Sequence, residues 1–133
     1  MSEAKSFREQ MASNTFVHVA FGFIAMGAWA VFANRHHPLE QALLAGLVQG
    51  TISGVLTLFL KKFLEWFNLR LKGVTALVLP PLVTATAIAT LLATAHTLAG
   101  TPEVLATIAV PFTVSTSYAI LYNLRLWRAA HGR

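Results

Sequence analysis

The chain has no cysteine and very little charge, and each shortage excludes a class of function. Without cysteine it can form no disulfide, no thiolate nucleophile and no thiolate metal site. Charged residues make up 11% of the sequence, whereas soluble domains carry about a quarter. Hydrophobic residues make up 56%, and the mean hydropathy is +0.62. The composition therefore excludes a soluble domain and predicts an integral membrane protein.

Charge is absent above all from four long apolar runs. A membrane-spanning helix needs about 20 apolar residues. Four uncharged runs reach that length, at residues 14–33, 41–60, 74–98 and 104–124. We therefore predict an all-α, integral membrane four-helix bundle of two tandem hairpins, with residues 1–133 forming a single transmembrane domain. The 133 residues leave no room for a separate soluble domain or a large active site outside the membrane.

The lack of ionisable residues within these runs also limits the chemistry. Proton- and cation-coupled carriers usually keep an ionisable residue inside the bundle. None of the four runs contains Asp, Glu, Lys or Arg, which disfavours a proton pump and a small multidrug exporter. The sequence shows no nucleophile–base pair and no metal constellation. We therefore predict a protein that is not an enzyme and has no catalytic residue, no metal site and no cofactor.

The positions of the basic residues predict the orientation. Nine of the ten lie in the N-terminal segment, between the second and third runs, or in the C-terminal segment. The other two connecting segments contain Arg35 alone. Because lysine and arginine are retained on the cytoplasmic side, both termini should be cytoplasmic in a bacterial inner membrane. Topology thus explains the net charge of +5, and we predict no nucleic-acid partner.

The first run is about 20 residues long, whereas the apolar core of a signal peptide has about 7–15, so we predict a retained span.

Residues 1–13 should form a separate short helix at the membrane surface, ending near Ser13 or Asn14, either of which could cap the first span. The second helix should continue past Leu60 as an amphipathic stretch and end at Gly73.

Small side chains recur at every fourth position of the second span, at Ala42, Gly46, Gly50 and Gly54. This spacing places them on one stripe of a helix. Membrane helices associate by close packing, so the stripe predicts a docking face for another helix, either in the same chain or in a second one. Gln49 flanks the stripe and could hydrogen-bond across the contact or shape a groove for a substrate.

Basic and aromatic residues cluster after the second and the fourth span. Such clusters suit anionic headgroups or lipid phosphates on the inner leaflet. Ordinary anchoring of the helices at the interface is the alternative interpretation. The residues predicted to contact lipid phosphate are Lys61, Lys62, Trp66, Arg125, Trp127 and Arg128.

Imidazole and carboxylate groups gather in the outer connecting segments. These groups suit zinc or a similar ion, but their spacing matches no strong motif, so ion binding is left open. His96, near the outer boundary, should be an interfacial histidine that is bonded to backbone or water. The residues concerned are His36, His37, Glu40, His96 and Glu103.

The segment 123–127, Asn-Leu-Arg-Leu-Trp, closes the fourth span, and segment 61–67 is its counterpart after the second. In these segments and in its layout of two tandem hairpins, the chain resembles the GtrA-like family of small four-helix membrane proteins. Members of that family are associated with moving polyprenyl-phosphate-linked sugars across the membrane. The resemblance implies a lipid-linked substrate and both termini inside the cell.

These observations lead to one functional prediction and one alternative. We predict a transport-type role for a small solute or a lipid-linked (polyprenyl-phosphate) substrate, carried out by a homo-oligomer in contact with membrane lipids. The alternative is a non-catalytic accessory subunit that binds and stabilises a larger membrane protein.

Overall fold

The computed structural model describes residues 2–132; Met1 and Arg133 lie outside the described residues, as do the side chains of residues 2–5, 8, 11 and 12. No strand occurs between residues 2 and 132. Each helix contains a segment long and apolar enough to cross a membrane. The prediction of an all-α protein with four such helices is confirmed, while membrane insertion and orientation stay predictions. The helices are α1 (Ser2–Ala33), α2 (Leu39–Asn68), α3 (Gly73–Leu98) and α4 (Val104–His131).

Successive helices run antiparallel and form two hairpins. In the first hairpin Gly27 of α1 lies against Gly46 of α2, while Gly22 lies against Thr57. The α1–α2 and α3–α4 turns therefore meet at one end of the bundle, which we call the turn end. The α2–α3 turn lies at the other end, together with the start of α1 and the end of α4. We call this second end the basic end.

The first helix is longer than the sequence predicts. It runs without interruption from Ser2 to Ala33, so the predicted separate surface helix ending at Ser13 or Asn14 is wrong. The physical reason is that residues 2–21 contain neither glycine nor proline, and no strong breaker separates the polar segment from the apolar one.

The second helix does continue past Leu60, but it ends at Asn68 and not at Gly73. Gly73 instead begins α3 and has a φ of +66°. A left-handed backbone conformation of this kind favours glycine, because a β-carbon would be strained there. The glycine thus reverses the chain between two helices and does not terminate the first one.

The apolar core lies among α2, α3 and α4. Helix α1 is peripheral, since it packs mainly on α2 and reaches α4 near the turn end, where Trp29 Nε1 donates to the Ala106 carbonyl oxygen at 3.0 Å. Phe16 and Phe21 of α1 are 73% and 71% exposed. The buried apolar cluster consists of Leu60, Leu64, Ile88, Leu92 and Ala119.

Candidate functional site

The glycine stripe of α2 lies against α1 of the same chain. A β-carbon added to Gly50 would lie 2.9 Å from the carbonyl oxygen of Phe23, and one added to Gly46 would lie 3.1 Å from that of Gly27. The stripe is therefore covered by another helix of the same chain. All four residues of the stripe are buried: Ala42, Gly46, Gly50 and Gly54.

Gln49 connects the stripe helix to the other hairpin. Its side chain is fully buried, and its Oε1 lies 2.8 Å from His96 Nε2 of α3. Its amide nitrogen donates to Ser53 Oγ at 2.9 Å. His96 Nδ1 lies 2.9 Å from Thr101 Oγ1, in the turn that follows α3. Four side chains thus form one buried hydrogen-bonded chain across α2, α3 and the α3–α4 turn.

The prediction that His96 is an interfacial histidine bonded to backbone or water is wrong. Its side chain is fully buried, and both ring nitrogens bond to side chains. An amide oxygen only accepts, so Nε2 carries the proton and Nδ1 accepts from the Thr101 hydroxyl. The α3–α4 turn folds back over the end of α3, which buries Thr101 as well. A neutral imidazole satisfies every bond in this arrangement.

Asn34, at the end of α1, ties the two hairpins together at the turn end. Its amide nitrogen donates to the Ala30 carbonyl oxygen and to Thr107 Oγ1, both at 2.8 Å. Its Oδ1 accepts the backbone N–H of Glu103 at 2.9 Å. Nothing in the sequence around Asn34 indicates this role, because an asparagine directly after a helix is typical of an ordinary turn.

The outer imidazoles and carboxylates divide between separate contacts. His37 Nε2 lies 3.0 Å from Glu103 Oε1, whereas His96 belongs to the Gln49 chain. His36 and Glu40 are exposed. Within the described part of the chain, no group of three or more histidine, aspartate or glutamate side chains is placed to hold a metal ion.

At the basic end, two asparagines occupy carbonyls that prolines leave free. The pair Pro80-Pro81 lies inside α3 and lacks the N–H groups that would bond to the carbonyls of Ala76 and Leu77. Asn123 Nδ2 donates to both carbonyl oxygens, at 3.1 and 2.9 Å. Asn68 Nδ2 donates to Ala76 O at 3.1 Å and to Asn123 Oδ1 at 2.9 Å. Both asparagines are buried, so α2, α3 and α4 meet at this polar junction.

Gly73 is held on both sides of its backbone by α4. Trp127 Nε1 donates to the Gly73 carbonyl oxygen at 2.8 Å, and the Gly73 N–H donates to His131 Nε2 at 3.1 Å. The two rings stack with centroids 4.9 Å apart. Trp127, predicted to contact lipid phosphate, thus has its indole N–H engaged in holding the α2–α3 turn.

The other residues of the predicted lipid-contacting set are exposed: Lys61, Lys62, Trp66, Arg125 and Arg128. The guanidinium of Arg70 lies 4.0 Å from the ring centroid of Trp66. Between residue 61 and residue 132 this end carries six cationic side chains and a single carboxylate, Glu65. That carboxylate accepts the Tyr122 hydroxyl at 2.8 Å and lies 3.9 Å from Lys61.

A cleft of about 490 Å³ opens between the α2–α3 turn and the end of α4. The basic end therefore combines an excess of positive charge with a concave surface. The residues that line the cleft are Asn68, Leu69, Leu71, Lys72, Gly73, Ala130 and His131.

No protein-family model, characterised protein sequence or solved structure matches this chain. The resemblance to the GtrA-like family therefore stays a prediction. The candidate site is defined by the geometry of this chain alone.

Proposed function

We propose that this protein is a non-enzymatic membrane protein of the transport type, which holds phosphate-bearing lipids at its basic end and acts as a homo-oligomer. The observation that carries the proposal is the charge that α2, the α2–α3 turn and α4 bring to the basic end, where six cationic side chains accompany a single carboxylate, Glu65. Because Tyr122 already engages that carboxylate, most of the positive charge is available to an anion.

The basic end has the chemistry that an anionic lipid headgroup requires. Exposed lysines and arginines near an anionic membrane surface contribute about 1 kcal/mol each to binding. Trp66 and Phe63 stack with their ring centroids 6.3 Å apart, and aromatic rings of this kind favour the headgroup level. In this proposal the basic end faces the cytoplasmic leaflet of a bacterial inner membrane.

A second protomer is proposed because α3 exposes a face of small, polar side chains. Thr86 and Thr90 donate to their own helix at the carbonyls of Leu82 and Thr86, at 2.9 and 2.8 Å, so their hydroxyls are satisfied without a partner helix. Small hydroxyl-bearing faces are typical of helix–helix contacts in membranes. The headgroup would then move along the boundary between two protomers. The exposed threonines of this face are Thr86, Thr90, Thr94 and Thr97.

The same face supports a second candidate function, that of an accessory subunit. A different and larger membrane protein could cover the threonine face in place of a second copy. Gentle extraction from the native membrane followed by native mass spectrometry separates the two: a homo-oligomer that retains lipid supports the transport role, and a stoichiometric foreign subunit supports the accessory role.

Lipid translocation in reconstituted vesicles tests the proposed transport role. The probe is a phosphatidic acid with a fluorescent tail, and the measurement is the fraction quenched by an impermeant reductant over time. We expect the double variant Lys61→Ala/Arg125→Ala to translocate the lipid several-fold more slowly, because it removes two exposed cations of the basic end. Arg35→Ala, at the turn end, is the matched control and should be unchanged. Wild-type vesicles no faster than protein-free ones would contradict the transport role.

A further inference from the structure

The cleft at the basic end contains a histidine, His131, whose two ring nitrogens both contact backbone groups. His131 Nδ1 lies 3.0 Å from the Trp127 carbonyl oxygen, and the Gly73 N–H points at Nε2 from 3.1 Å. Since a carbonyl only accepts, Nδ1 carries the proton and Nε2 offers its lone pair to Gly73. This arrangement holds only while the imidazole is neutral.

A proton on Nε2 would reverse the chemistry of this contact. The Gly73 N–H and the new Nε2–H would both be donors, and they would repel each other unless an acceptor lay between them. A phosphate-type oxyanion supplies such an acceptor, since one oxygen can receive both bonds and charge-assisted bonds are the stronger kind. The anion and the proton would therefore bind together.

The charged groups around His131 favour an anion. Lys72 lines the same cleft from the α2–α3 turn, and Arg128 lies one helical turn before His131 on α4. The first turn of α3 contains no acidic residue. Glu65 of α2 is engaged by Tyr122 at 2.8 Å. The described lining contains no carboxylate side chain that could pair with a protonated imidazole.

We infer that this cleft is a proton-coupled binding site for a phosphate-type oxyanion, held by Lys72, protonated His131 and the backbone N–H of Gly73. At about 490 Å³ the cleft has room for a phosphate group together with the first atoms of its ester. The inference rests on the proposed function in that it names the subsite where the basic end takes a phosphate. It adds that binding takes up one proton.

Calorimetric titration of the full chain in neutral detergent with sodium sulfate tests this site. Sulfate keeps its charge between pH 6 and pH 8, so any pH dependence belongs to the protein. We expect binding to tighten by about tenfold or more from pH 8 to pH 6, because an affinity that is coupled to the uptake of a proton rises as the pH falls. At pH 8, repeating the titration in two buffers of different ionisation enthalpy should give an uptake that approaches one proton per sulfate.

Two variants and one control assign the effect. His131→Gln keeps an acceptor for the Gly73 N–H but gains no proton, so its weak binding should no longer depend on pH. Lys72→Met should weaken binding at both pH values and still take up a proton. Arg35→Met, at the turn end, should match wild type. Equal wild-type affinity at pH 6 and pH 8, or an unchanged pH dependence in folded His131→Gln, would overturn the inference.

Nanodiscs distinguish the source of the anion. If phosphatidylglycerol, but not phosphatidylcholine, displaces sulfate, the site takes a lipid headgroup; if neither does, it takes a free anion. Either result leaves the site in place. If the wild-type protein binds sulfate in a pH-dependent way but does not translocate lipid, the proposed function alone is overturned. If it translocates lipid but its sulfate binding does not depend on pH, the site alone is overturned.

Discussion

The α1–α2 contact and the basic-end junction of α2, α3 and α4 are stabilised by opposite means. Between α1 and α2 the decisive feature is the absence of side chains, since a β-carbon on Gly50 would lie 2.9 Å from a backbone oxygen of α1. At the junction the decisive feature is the presence of two buried amides, Asn68 and Asn123, which bond to each other and to α3.

The two contacts should therefore respond differently to mutation. Backbone packed on backbone cannot move aside, so the first contact should be sensitive to a single added methyl group. The junction depends on donors that bond to the carbonyls freed by the prolines, so its stability should fall when a donor is lost. The loss of that donor should matter less when the proline is also replaced, because the helix then supplies its own N–H.

Asn123→Ala should have the largest effect, a loss of roughly 3 kcal/mol in the free energy of unfolding, since a buried carbonyl left without a partner costs about 1–3 kcal/mol. It would deprive the Leu77 carbonyl of the amide that now bonds to it and Asn68 of its acceptor. The measurement is reversible unfolding in mixed micelles, followed by circular dichroism.

A double-mutant cycle sharpens this prediction. Pro81→Ala restores an N–H that can bond to the Leu77 carbonyl, so Asn123→Ala should cost about 1–2 kcal/mol less in that background. Pro111→Ala in α4 is the matched control, because it restores a bond to Thr107 and not to α3. Equal coupling of Asn123 to both prolines would show that the amide does not act through the freed carbonyl.

Gly50→Ala should come next, with a loss of about 2 kcal/mol, in the range expected for overpacking. The added carbon would meet the Phe23 carbonyl oxygen at 2.9 Å, which only a shift of α1 could relieve. Gly54→Ala is the control on the same stripe: its carbon would lie 3.4 Å from Val19 Cγ1, so it should be neutral within about 0.5 kcal/mol. If both variants behave alike in the same unfolding assay, backbone proximity does not determine the sensitivity of this contact.

The parts of the structure that could be predicted from the sequence are the patterns that lie within one helix. The stripe is a local pattern, because a spacing of four places residues on one helix face whatever lies opposite. The four apolar helices are local in the same sense. Which helix covers the stripe is a tertiary property that the spacing leaves open, and the covering helix proved to be α1 of the same chain.

The polar contacts were not predictable, for a physical reason. His96 and Gln49 are 47 positions apart, and Asn68 and Asn123 are 55 apart. Nothing at either position indicates the other, since each residue alone suits an interface or a turn. The prolines carried the one available signal: two adjacent prolines inside a helix must leave two carbonyls in need of donors. That requirement indicates that buried amides should lie near these carbonyls on the neighbouring helices.

The smallest effect is expected at Thr84. This residue tests whether a buried hydroxyl contributes to stability only when it has a hydrogen-bond partner. Its side chain is only 2% exposed, and its hydroxyl has no hydrogen-bond partner in the described structure. Thr84→Val removes that hydroxyl at nearly constant volume, so stability should stay within about 0.5 kcal/mol or rise slightly. Thr107→Val, the matched control, removes a hydroxyl that accepts from Asn34 and donates to the Glu103 carbonyl oxygen, and it should cost about 1 kcal/mol. Equal costs at the two positions would mean that hydrogen-bonded and unbonded hydroxyls contribute alike, and the junction's dependence on its donors would then need a different cause.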